Sequence, residues 1–544
     1  MPFARFSALV TPMLMALSAP AAAQQAEPAR PSLVVAISVD QLSADLFATH
    51  RSAFTGGLAR LLGGVVFPSG YQAHAATETC PGHSTILTGA FPARSGIIAN
   101  RWFDMGVTRE DVRVYCAEDV AVEGSTSSNY TRSNANLLVP TLGDLLRAAD
   151  PESRTVAVAG KDRSAIMMGG RTTMAYWPES GGFASYAGSE LPASVTRVNQ
   201  AVGASVAQAQ EGLPVPAHCA PFDRAIPLGN GQSVGTGRFA HDAGDASGFL
   251  SSPEADLAVL NLASEMVREQ QLGQRGSTDV LAIGLAATDY IGHRYGTHGL
   301  EQCIQIMSLD SMLGAFFEEL DASGINYVVV LTADHGGLDL PERQAAQGAA
   351  DAARLTADLD AIADRIAEDS GLPAPVIRSD GPFGDFYIDP SVPEDRRSEI
   401  LDRALTAYSA HQQVRAVYTG GAIAAQPLPT DPPEQWTLLD RLRASYHPDR
   451  SGDFLVVLEP RVTPIPDPGV GYVATHGSPW DYDRRVPILF WWNGAEHFEQ
   501  PLGVMTVDIL PTLASLIGFD LGETEIDGRC LDVIAAVDAS NCSQ

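Results

Sequence analysis

Residues 33–40 read LVVAISVD, an almost unbroken apolar run, rich in β-branched residues, that ends in Asp40. A run of this kind is typical of a strand buried on both faces of a parallel sheet. Four further runs have the same character, at residues 155–159, 280–285, 327–331 and 486–491. Polar residues follow several of these runs, and ligands in open α/β sheets bind at the carboxyl ends of the strands. The sequence therefore predicts a largely parallel sheet whose carboxyl edge carries the functional site.

Helical patterns alternate with these strands. Apolar residues recur at helical spacing in two stretches, at Leu257, Leu260 and Val267 in one and at Ile306, Leu313, Phe317 and Leu320 in the other. Alternation of strands and helices predicts an α/β fold, a sandwich with a mostly parallel central sheet and helices on both faces.

The length and the N-terminus bound the organisation of the chain. At 544 residues, 45% of them hydrophobic, the chain is long enough for one large domain with insertions or for two domains. Residues 1–23 carry Arg5 as their only charge, then an apolar run over 8–19 and three alanines before Gln24. This pattern predicts a secretory signal peptide, because the apolar run is too short to span a bilayer. We expect the mature protein to be soluble, monomeric and periplasmic.

Two long stretches, about 165–250 and about 340–470, are rich in Gly, Pro and Ala and fit the alternation less well. The second contains a helical pattern at Leu355, Leu359, Ile362 and Ile366 and a strand at Phe454–Leu458. We interpret both stretches as insertions that build a cap over the edge of the sheet, within one domain that covers residues 24–544.

Charge and composition narrow the function. The formal net charge of −30 argues against nucleic acid or an anionic membrane as a partner, and an anionic substrate would need local positive charge. The six cysteines permit disulfides without fixing their connectivity, and Cys530 with Cys542 is the first pair we expect. Of the 35 basic residues 34 are arginine, and Lys161 is the only lysine. The lysine is there by chance, or because a compact ammonium is needed at that position.

A second stretch carries a candidate nucleophile: residues 76–89 read ATETCPGHSTILTG. Thr79 stands just before Pro81 and Gly82 and a run that can form a helix. Its hydroxyl is therefore expected at a helix N-terminus, where free N–H groups and the macrodipole favour an anion. A threonine hydroxyl is a poor nucleophile unless a base or a metal lowers its pKa. Attack on a phosphate thus requires metal ligands elsewhere in the chain.

Candidate ligands follow the predicted strands. Asp289 and His293 are one helical turn apart, so both can reach a single ion. Asp334 and His335 follow one buried strand, Asp40 ends another, and His476 precedes the last. Oxygen and nitrogen ligands in two sets of about three suit a pair of zinc ions. Taken singly, Asp40 could cap a helix, and Asp334-His335-Gly-Gly could be a turn.

Taken together, these motifs resemble the alkaline phosphatase superfamily in order and spacing, from Asp40 to the C-terminal TVDILPTL at residues 506–513. Within it, Asn100 followed by Lys161-Asp162-Arg163 resembles the periplasmic PafA-like alkaline phosphatases, which use a threonine nucleophile. The resemblance implies an alkaline-phosphatase-like catalytic domain and a zinc-dependent hydrolase of many phosphate monoesters. It also implies two in-line displacements through a phosphothreonine at Thr79, with release of inorganic phosphate.

The resemblance also implies a role for each site residue. Asp40, Asp334 and His335 would hold one zinc, to which the Thr79 oxygen binds as an alkoxide. Asp289, His293 and His476 would hold the second, which faces the leaving group. Asn100, Lys161 and Arg163 would donate to the non-bridging oxygens of the phosphoryl group. Without the resemblance, Lys161 and Arg163 read equally well as solvent-facing charges.

Other polar residues are given lesser roles. His83 is expected to pack or hydrogen-bond near the site, and His298 to be a loop histidine. Trp102 and Phe103 are expected to pack in the core or the cap, with the leaving-group pocket as the alternative. Asp310 is expected to orient a metal ligand through a hydrogen bond without binding the metal itself.

Several other functions compete with the phosphatase. A phosphodiesterase or nucleotide pyrophosphatase of the same superfamily shares the two-zinc site and the threonine, but Lys161 and Arg163 argue against it, because a diester has fewer non-bridging oxygens. A sulfatase would need Cys or Ser in place of Thr79. A phosphosugar mutase is disfavoured by the export signal, and a non-catalytic zinc protein would not need Thr79.

Overall fold

The computed structural model describes residues 1, 30–109, 111–359, 361–469, 471–534 and 540–542. The predicted signal peptide, apart from Met1, lies outside the described residues. Among the helices within these ranges, none combines the length and the apolar character needed to cross a bilayer.

The strands are β1 Leu33–Val39, β2 Val65–Tyr71, β3 Arg101–Phe103, β4 Arg113–Tyr115, β5 Thr155–Ala159, β6 Thr173–Glu179, β7 Gly182–Ala184, β8 Ile226–Pro227, β9 Ser233–Val234, β10 Asp279–Leu285, β11 Tyr327–Thr332, β12 Ala353–Arg354, β13 Ile377–Ser379, β14 Gly384–Ile388, β15 Val414–Thr419, β16 Phe454–Leu458, β17 Val462–Thr463, β18 Arg485–Trp492, β19 Phe498–Glu499 and β20 Val504–Met505.

The α-helices are α1 Ala44–His50, α2 Gly57–Leu62, α3 Thr79–Thr88, α4 Pro92–Ser95, α5 Leu142–Ala149, α6 Asp162–Gly169, α7 Ala193–Val206, α8 Ala246–Leu250, α9 Pro253–Gln270, α10 Ala287–Tyr295, α11 Leu300–Ala322, α12 Pro341–Ala346, α13 Ile362–Ser370, α14 Glu394–Ser409, α15 Gly420–Ala425, α16 Leu438–Ser445, α17 Asp481–Arg484 and α18 Ile509–Ile517. Short 3₁₀ turns lie at Arg51–Ala53, Ala217–Phe222, Pro433–Gln435 and Thr506–Asp508.

The central sheet of the described residues has ten strands in the order β19-β2-β18-β11-β1-β10-β5-β6-β7, with β20 beside β2. β1 lies in the middle and pairs in parallel with both β10 and β11. β5 continues the parallel pairing beyond β10, and β6 beyond β5. β18, which contains the predicted run 486–491, instead pairs antiparallel with β11 and β2. The predicted α/β class with a mostly parallel central sheet is confirmed.

Both faces of this sheet are covered. Alternate side chains of β1 enter two different apolar cores: Val35 and Ile37 lie in one, and Val34 and Ala36 lie in the other. Successive side chains of a strand point to opposite faces, so an apolar run without alternation requires packing on both. The helices α9 and α11 cover the first face, and α3, α6 and α18 cover the second.

The two predicted cap segments contain different structures. In the second, β13, β14, β16 and β15 form a separate four-stranded sheet with its own apolar core, which includes α13 and α14. In the first, β6 and β7 belong to the central sheet, so residues 173–184 are an edge of that sheet. The assignment of these segments as caps over the sheet edge stays a prediction.

Two details of the helical patterns differ from expectation. Leu355 and Leu359 lie before α13, which begins at Ile362, although both are buried in the same core as Ile366. Leu355 and Leu359 have the spacing of a helix face because they pack into the same core as α13, although they are not part of that helix. Leu257 lies in α9 but is 43% exposed, while Leu260 is buried.

The six cysteines form three disulfides: Cys80–Cys116, Cys219–Cys303 and Cys530–Cys542. The pair expected first, Cys530 with Cys542, is present. Cys80–Cys116 joins α3 to the residue that follows β4, and it therefore ties the helix of the candidate nucleophile to a neighbouring hairpin.

Candidate active site

The predicted ligands converge at the carboxyl edge of the central sheet. Asp40 directly follows β1, and Asp334 and His335 follow β11. Asp289 and His293 lie on α10, which begins just after β10. Because β10, β1 and β11 are adjacent parallel strands, their carboxyl ends meet at one edge. His476 joins them from the loop that precedes α17 and β18.

The ligand candidates form two overlapping groups. In the first, His335 Nε2 lies 3.2 Å from Asp334 Oδ2 and 3.5 Å from Asp40 Oδ1. In the second, Asp289 Oδ1 lies 3.2 Å from His293 Nε2 and 3.4 Å from His476 Nε2. His335 lies between the groups, since its ring stacks on His476 with centroids 3.6 Å apart. Ligand atoms of Asp289, His335 and His476 are also close enough to hold one ion.

The three histidines are oriented by the backbone. His293 Nδ1 donates to the carbonyl of Ala474, His335 Nδ1 to that of Gly336, and His476 Nδ1 to that of Thr77, each at 2.8 Å. A carbonyl only accepts, so each Nδ1 carries a proton, and each Nε2 is the ring nitrogen that faces the site. Metal-binding histidines are commonly fixed in this way. Burial also lowers the pKa of His335 to about 3, so this ring is neutral.

Lys161 lies between the two groups of ligand candidates and contacts one carboxylate of each. Its Nζ lies 2.6 Å from Asp40 Oδ2 and 2.6 Å from Asp289 Oδ2, and all three side chains are buried. Burial favours a neutral amine, but Asp289 and Asp40 outweigh it and hold the pKa of Lys161 above its usual value. The only lysine of the chain is thus a buried cation within the site and not a solvent-facing charge.

The pKa values of three buried aspartates, Asp40, Asp289 and Asp334, shift in different directions. Asp40 and Asp289 contact the ammonium of Lys161, whereas Asp334 contacts His335 and His83. Burial, followed by the nearby Asp334 charge, raises the pKa of Asp40 well above its usual value. Burial opposes ionisation of Asp289 too, but His293 and Lys161 outweigh it and hold its pKa well below the usual value.

Several buried atoms in the first group form no regular hydrogen bond among the described residues: Asp40 Oδ1 and His335 Nε2 have none, and Asp334 Oδ2 has only the ring nitrogens of His83 and His335, at 3.0 and 3.2 Å. Buried polar groups without partners are costly, and an excess of buried carboxylate charge is more so. A divalent cation would satisfy all three atoms, and their chemistry, carboxylate oxygen with neutral imidazole nitrogen, suits zinc. The residues present therefore fit the metal that the resemblance implies.

Thr79 is the first residue of α3, and its hydroxyl faces the site. Thr79 Oγ1 lies 3.5 Å from Lys161 Nζ and 3.4 Å from an Nη atom of Arg163. The helix approaches the loop that carries Asp334 closely at Gly82, where a Cβ would lie 2.6 Å from the carbonyl carbon of Asp334. His83, one turn along the helix, contacts Asp334 Oδ2 at 3.0 Å and the Thr79 carbonyl at 2.9 Å.

Asn100 is anchored by three contacts around α3. Its Oδ1 accepts the N–H of Cys80 at 2.8 Å, and its own N–H donates to Glu78 Oε2 at 2.6 Å. Its carbonyl accepts the N–H of Cys116 at 3.0 Å, next to the Cys80–Cys116 disulfide. The amide group of Asn100 is therefore oriented by its Oδ1 contact with the N-terminus of α3. Sequence reasoning missed Glu78, for which no motif gave a signal.

Arg163 is held by a pair that sequence reasoning also missed. Tyr115 donates its hydroxyl to Asp162 Oδ1 at 2.6 Å, and the same oxygen accepts the N–H of Arg163 at 2.7 Å. Lys161 and Arg163 both lie near the Thr79 hydroxyl, with Lys161 directly before α6 and Arg163 in its first turn.

Among the residues with secondary expected roles, some agree with the expectation and one does not. His83 does hydrogen-bond beside the site, and Trp102 is buried in the core on the α3 face. Asp310 does not orient a ligand: its carboxylate accepts the backbone N–H groups of residues 55, 56, 58 and 59, at the start of α2. An aspartate at a helix N-terminus explains its burial without any role in the site. His298 contacts Thr297 and lies outside both ligand groups.

Comparison with known proteins agrees with this geometry. A family model described as type I phosphodiesterase / nucleotide pyrophosphatase matches residues 34–479. The chain belongs to this family, within the alkaline phosphatase superfamily. It is a hydrolase, as predicted.

Relatives match over nearly the whole chain. Alkaline phosphatase PhoK of a Sphingomonas species is 54% identical and aligns over 94% of this chain and 93% of its own length. Alkaline phosphatase PhoD of Zymomonas mobilis subsp. mobilis is 45% identical, over 94% and 89%. The crystal structure of wild-type alkaline phosphatase PafA superimposes with a TM-score of 0.80 at 25% identity, over 93% of this chain and 99% of that one.

Proposed function

We propose that the chain is a zinc-dependent phosphomonoesterase that hydrolyses many phosphate monoesters through a phosphothreonine at Thr79. One observation carries this proposal: the Thr79 hydroxyl, at the start of α3, lies within 3.5 Å of two cationic groups and beside two groups of buried metal-ligand candidates. The names of the relatives, alkaline phosphatases at 54% and 45% identity, support the same conclusion.

The proposed metal ligands are Asp40, Asp334 and His335 for one zinc, with the Thr79 oxygen, and Asp289, His293 and His476 for the other. Bound zinc ions supply Lewis-acid stabilisation of the negative charge that develops on the entering and departing oxygens. The protein's own contribution is orientation, because the three Nδ1–H groups are held on backbone carbonyls and each Nε2 faces inward.

In the first step, a bond forms between Thr79 Oγ1 and phosphorus while the ester P–O bond breaks and the alcohol departs. In the second, water attacks phosphorus, the P–Oγ1 bond breaks, and inorganic phosphate leaves. In the metal-free site, Asp289 and Asp40 keep Lys161 protonated, so it has no free lone pair with which to deprotonate Thr79. It acts instead as a fixed positive charge beside the transferred group.

Three donors favour monoesters. Lys161 and Arg163 face Thr79 Oγ1, and Asn100 is anchored to the N-terminus of α3 by the N–H of Cys80. A monoester dianion offers three non-bridging oxygens, and a diester monoanion offers two. Donors arranged for three oxygens therefore stabilise the transition state of monoester hydrolysis more.

The second candidate function is phosphodiester hydrolysis, because the matching family model is described by that activity. The two candidate functions differ in whether Lys161 and Arg163 donate hydrogen bonds to a third non-bridging oxygen, which a monoester has and a diester lacks.

Trapping of the covalent intermediate tests the proposed nucleophile. Zinc-loaded protein is quenched with acid during turnover of an aryl phosphate, digested and analysed by mass spectrometry. We expect phosphate on Thr79, and none in Thr79→Ala, which should still bind zinc. Thr79→Ser retains a hydroxyl and is the matched control, with phosphate on the new side chain. Phosphate on another residue, or near-wild-type turnover by Thr79→Ala, would contradict the assignment.

Export is a further part of the proposal. Residues 1–23 would direct the chain out of the cytoplasm, and three disulfides among the described residues suit an oxidising compartment. N-terminal sequencing of the secreted protein should give a start after Ala23.

A further inference from the structure

A cavity of about 250 Å³ adjoins Lys161 and Arg163, which are proposed to donate hydrogen bonds to the phosphoryl group. The charged side chains that line this cavity are mainly cationic, whereas the protein as a whole is acidic. The cationic side chains in its wall are Arg101, Arg132, Lys161 and Arg163, against a single carboxylate, that of Asp162. The chain as a whole carries a formal charge of −30. A concave cationic site in an acidic protein attracts anions selectively, because the low-dielectric walls focus the field.

Most of these charges already have partners. Arg132 contacts Asp162 at 3.3 Å and Glu179 at 3.0 Å. Lys161 and Arg163 face Thr79, in the proposed catalytic centre. Asp162 is itself engaged, since it accepts hydrogen bonds from Tyr115 and from the N–H of Arg163.

Arg101 differs from the other three. Its guanidinium forms no hydrogen bond and no ion pair with any residue in the described ranges; its carbon lies 5.6 Å from the centre of the Tyr115 ring. The charge of Arg101 acts electrostatically on the carboxylate of Asp380, but that carboxylate forms its ion pair with Arg113. Arg101 therefore presents a positive charge without a dedicated counter-ion.

The position of Arg101 is fixed relative to the site. It begins β3, directly after Asn100, and pairs with Tyr115 of β4. It also lines a second groove, whose walls include Glu78 and Gly477, the neighbours of Thr79 and His476. Arg101 thus lines both the cavity beside Lys161 and the groove beside Glu78 and Gly477.

We propose that Arg101 binds a second phosphoryl group on the leaving group of the substrate. The inference rests on the proposed phosphomonoesterase function and names a substrate class for it: small alcohols that carry two phosphoryl groups. One group would lie at Thr79, among Asn100, Lys161 and Arg163. The other would accept paired hydrogen bonds from the guanidinium of Arg101, whose planar fork matches phosphate oxygens.

The test compares two substrates that differ only at the far end. 3-Phosphonopropyl phosphate carries a second dianionic group that cannot be hydrolysed as an ester, and butyl phosphate carries a methyl group there. We expect wild-type protein to show a kcat/KM about 10-fold or more higher for the phosphonate, as for a hydrogen bond to a charged group. The preference should act mainly through KM and should weaken as salt is added.

Arg101→Met, which keeps the length of the side chain without its charge, should reduce this ratio to near one. Arg197→Met is the matched control, because Arg197 is an exposed arginine of α7 paired with Glu265, and it should leave the ratio unchanged. If Arg101→Met is poorly folded, Arg101→Gln and the salt dependence of the wild-type ratio serve the same purpose. A wild-type ratio near one, or a ratio that Arg101→Met does not alter, overturns the second phosphoryl site. Absence of turnover of both substrates overturns the phosphomonoesterase itself.

Discussion

Replacement of Lys161 by methionine removes a buried cation that contacts a carboxylate in each group of ligand candidates, while it keeps most of the side-chain volume. Lys161 Nζ lies 2.6 Å from Asp40 and from Asp289, and 3.5 Å from Thr79 Oγ1. Two consequences follow, one for catalysis and one for stability, and each has its own assay.

For catalysis, the loss of one preorganised donor to a transferred phosphoryl group costs about 10²–10³ in rate, by analogy with removal of an oxyanion-hole donor. We expect that loss in kcat/KM for an aryl phosphate monoester, and a loss of about tenfold or less for the matching diester, whose phosphorus has one fewer charged oxygen. Lys161→Arg keeps the charge but not the compact geometry, and it should lie between wild type and Lys161→Met. Equal losses on monoester and diester would refute the assigned role.

For stability, the lysine compensates buried carboxylates when no metal is bound. Removal of one partner from a buried ion pair typically costs about 3–5 kcal/mol. Lys161→Met should therefore unfold at a lower temperature than wild type in chelator. In the proposed site, zinc would compensate the same carboxylates, so the rise in Tm on adding zinc should be larger in the variant than in wild type. An equal rise in both proteins would show that Lys161 and the metals do not share these ligands.

Three further predictions concern the support of the site. Gly82→Ala should lower the free energy of unfolding by about 1–3 kcal/mol or more, measured by urea denaturation, because its Cβ meets the backbone of Asp334; a neutral effect would mean that α3 can move away freely. Burial raises the pKa of Asp256 to about 6, so the folded state binds this proton more tightly than the unfolded state, and the stability that this provides is lost as pH rises through about 6. Asp256→Asn, in which Gln305 can still pair with the new amide, should therefore be more stable than wild type at about pH 8, by up to about 3 kcal/mol, with a smaller gain at about pH 5; a gain that grows toward acid would contradict the sign. Prolonged dialysis against a chelator should abolish turnover, and zinc should restore it more fully than magnesium, as measured by activity and bound metal per chain; full activity without metal would refute the metal site.

The sequence predicted the sheet, and the edge at which the candidate residues meet, because the signals for both are local. A run such as LVVAISVD requires burial on both faces, and Asp40 is placed at the edge simply by ending that run. The apolar run of β18 did not indicate that this strand is antiparallel to its neighbours, because the run looks the same as those of the parallel strands. Direction depends on connections between elements, which an apolar run does not encode.

The parts of the site that the sequence did not predict depend on long-range contacts. Glu78 holds Asn100, and Tyr115 holds Asp162, through hydrogen bonds between residues that are 22 and 47 positions apart. Asp310 looked like a residue of the site because it is an acid on a predicted helix, but its partners are N–H groups at the start of α2. A carboxylate behind a ligand and a carboxylate that caps a helix have the same sequence signature.

The central claim, that the two-metal site serves phosphate monoesters, is tested most directly by kcat/KM for an aryl phosphate monoester and for the matching diester. The measurement is made on purified mature protein loaded with zinc. The account predicts a preference for the monoester of several orders of magnitude, because Asn100, Lys161 and Arg163 serve three non-bridging oxygens. A preference for the diester would contradict it: the fold and metal site would stand, but the enzyme would be a phosphodiesterase, and Lys161 would have no phosphoryl oxygen of its own to serve.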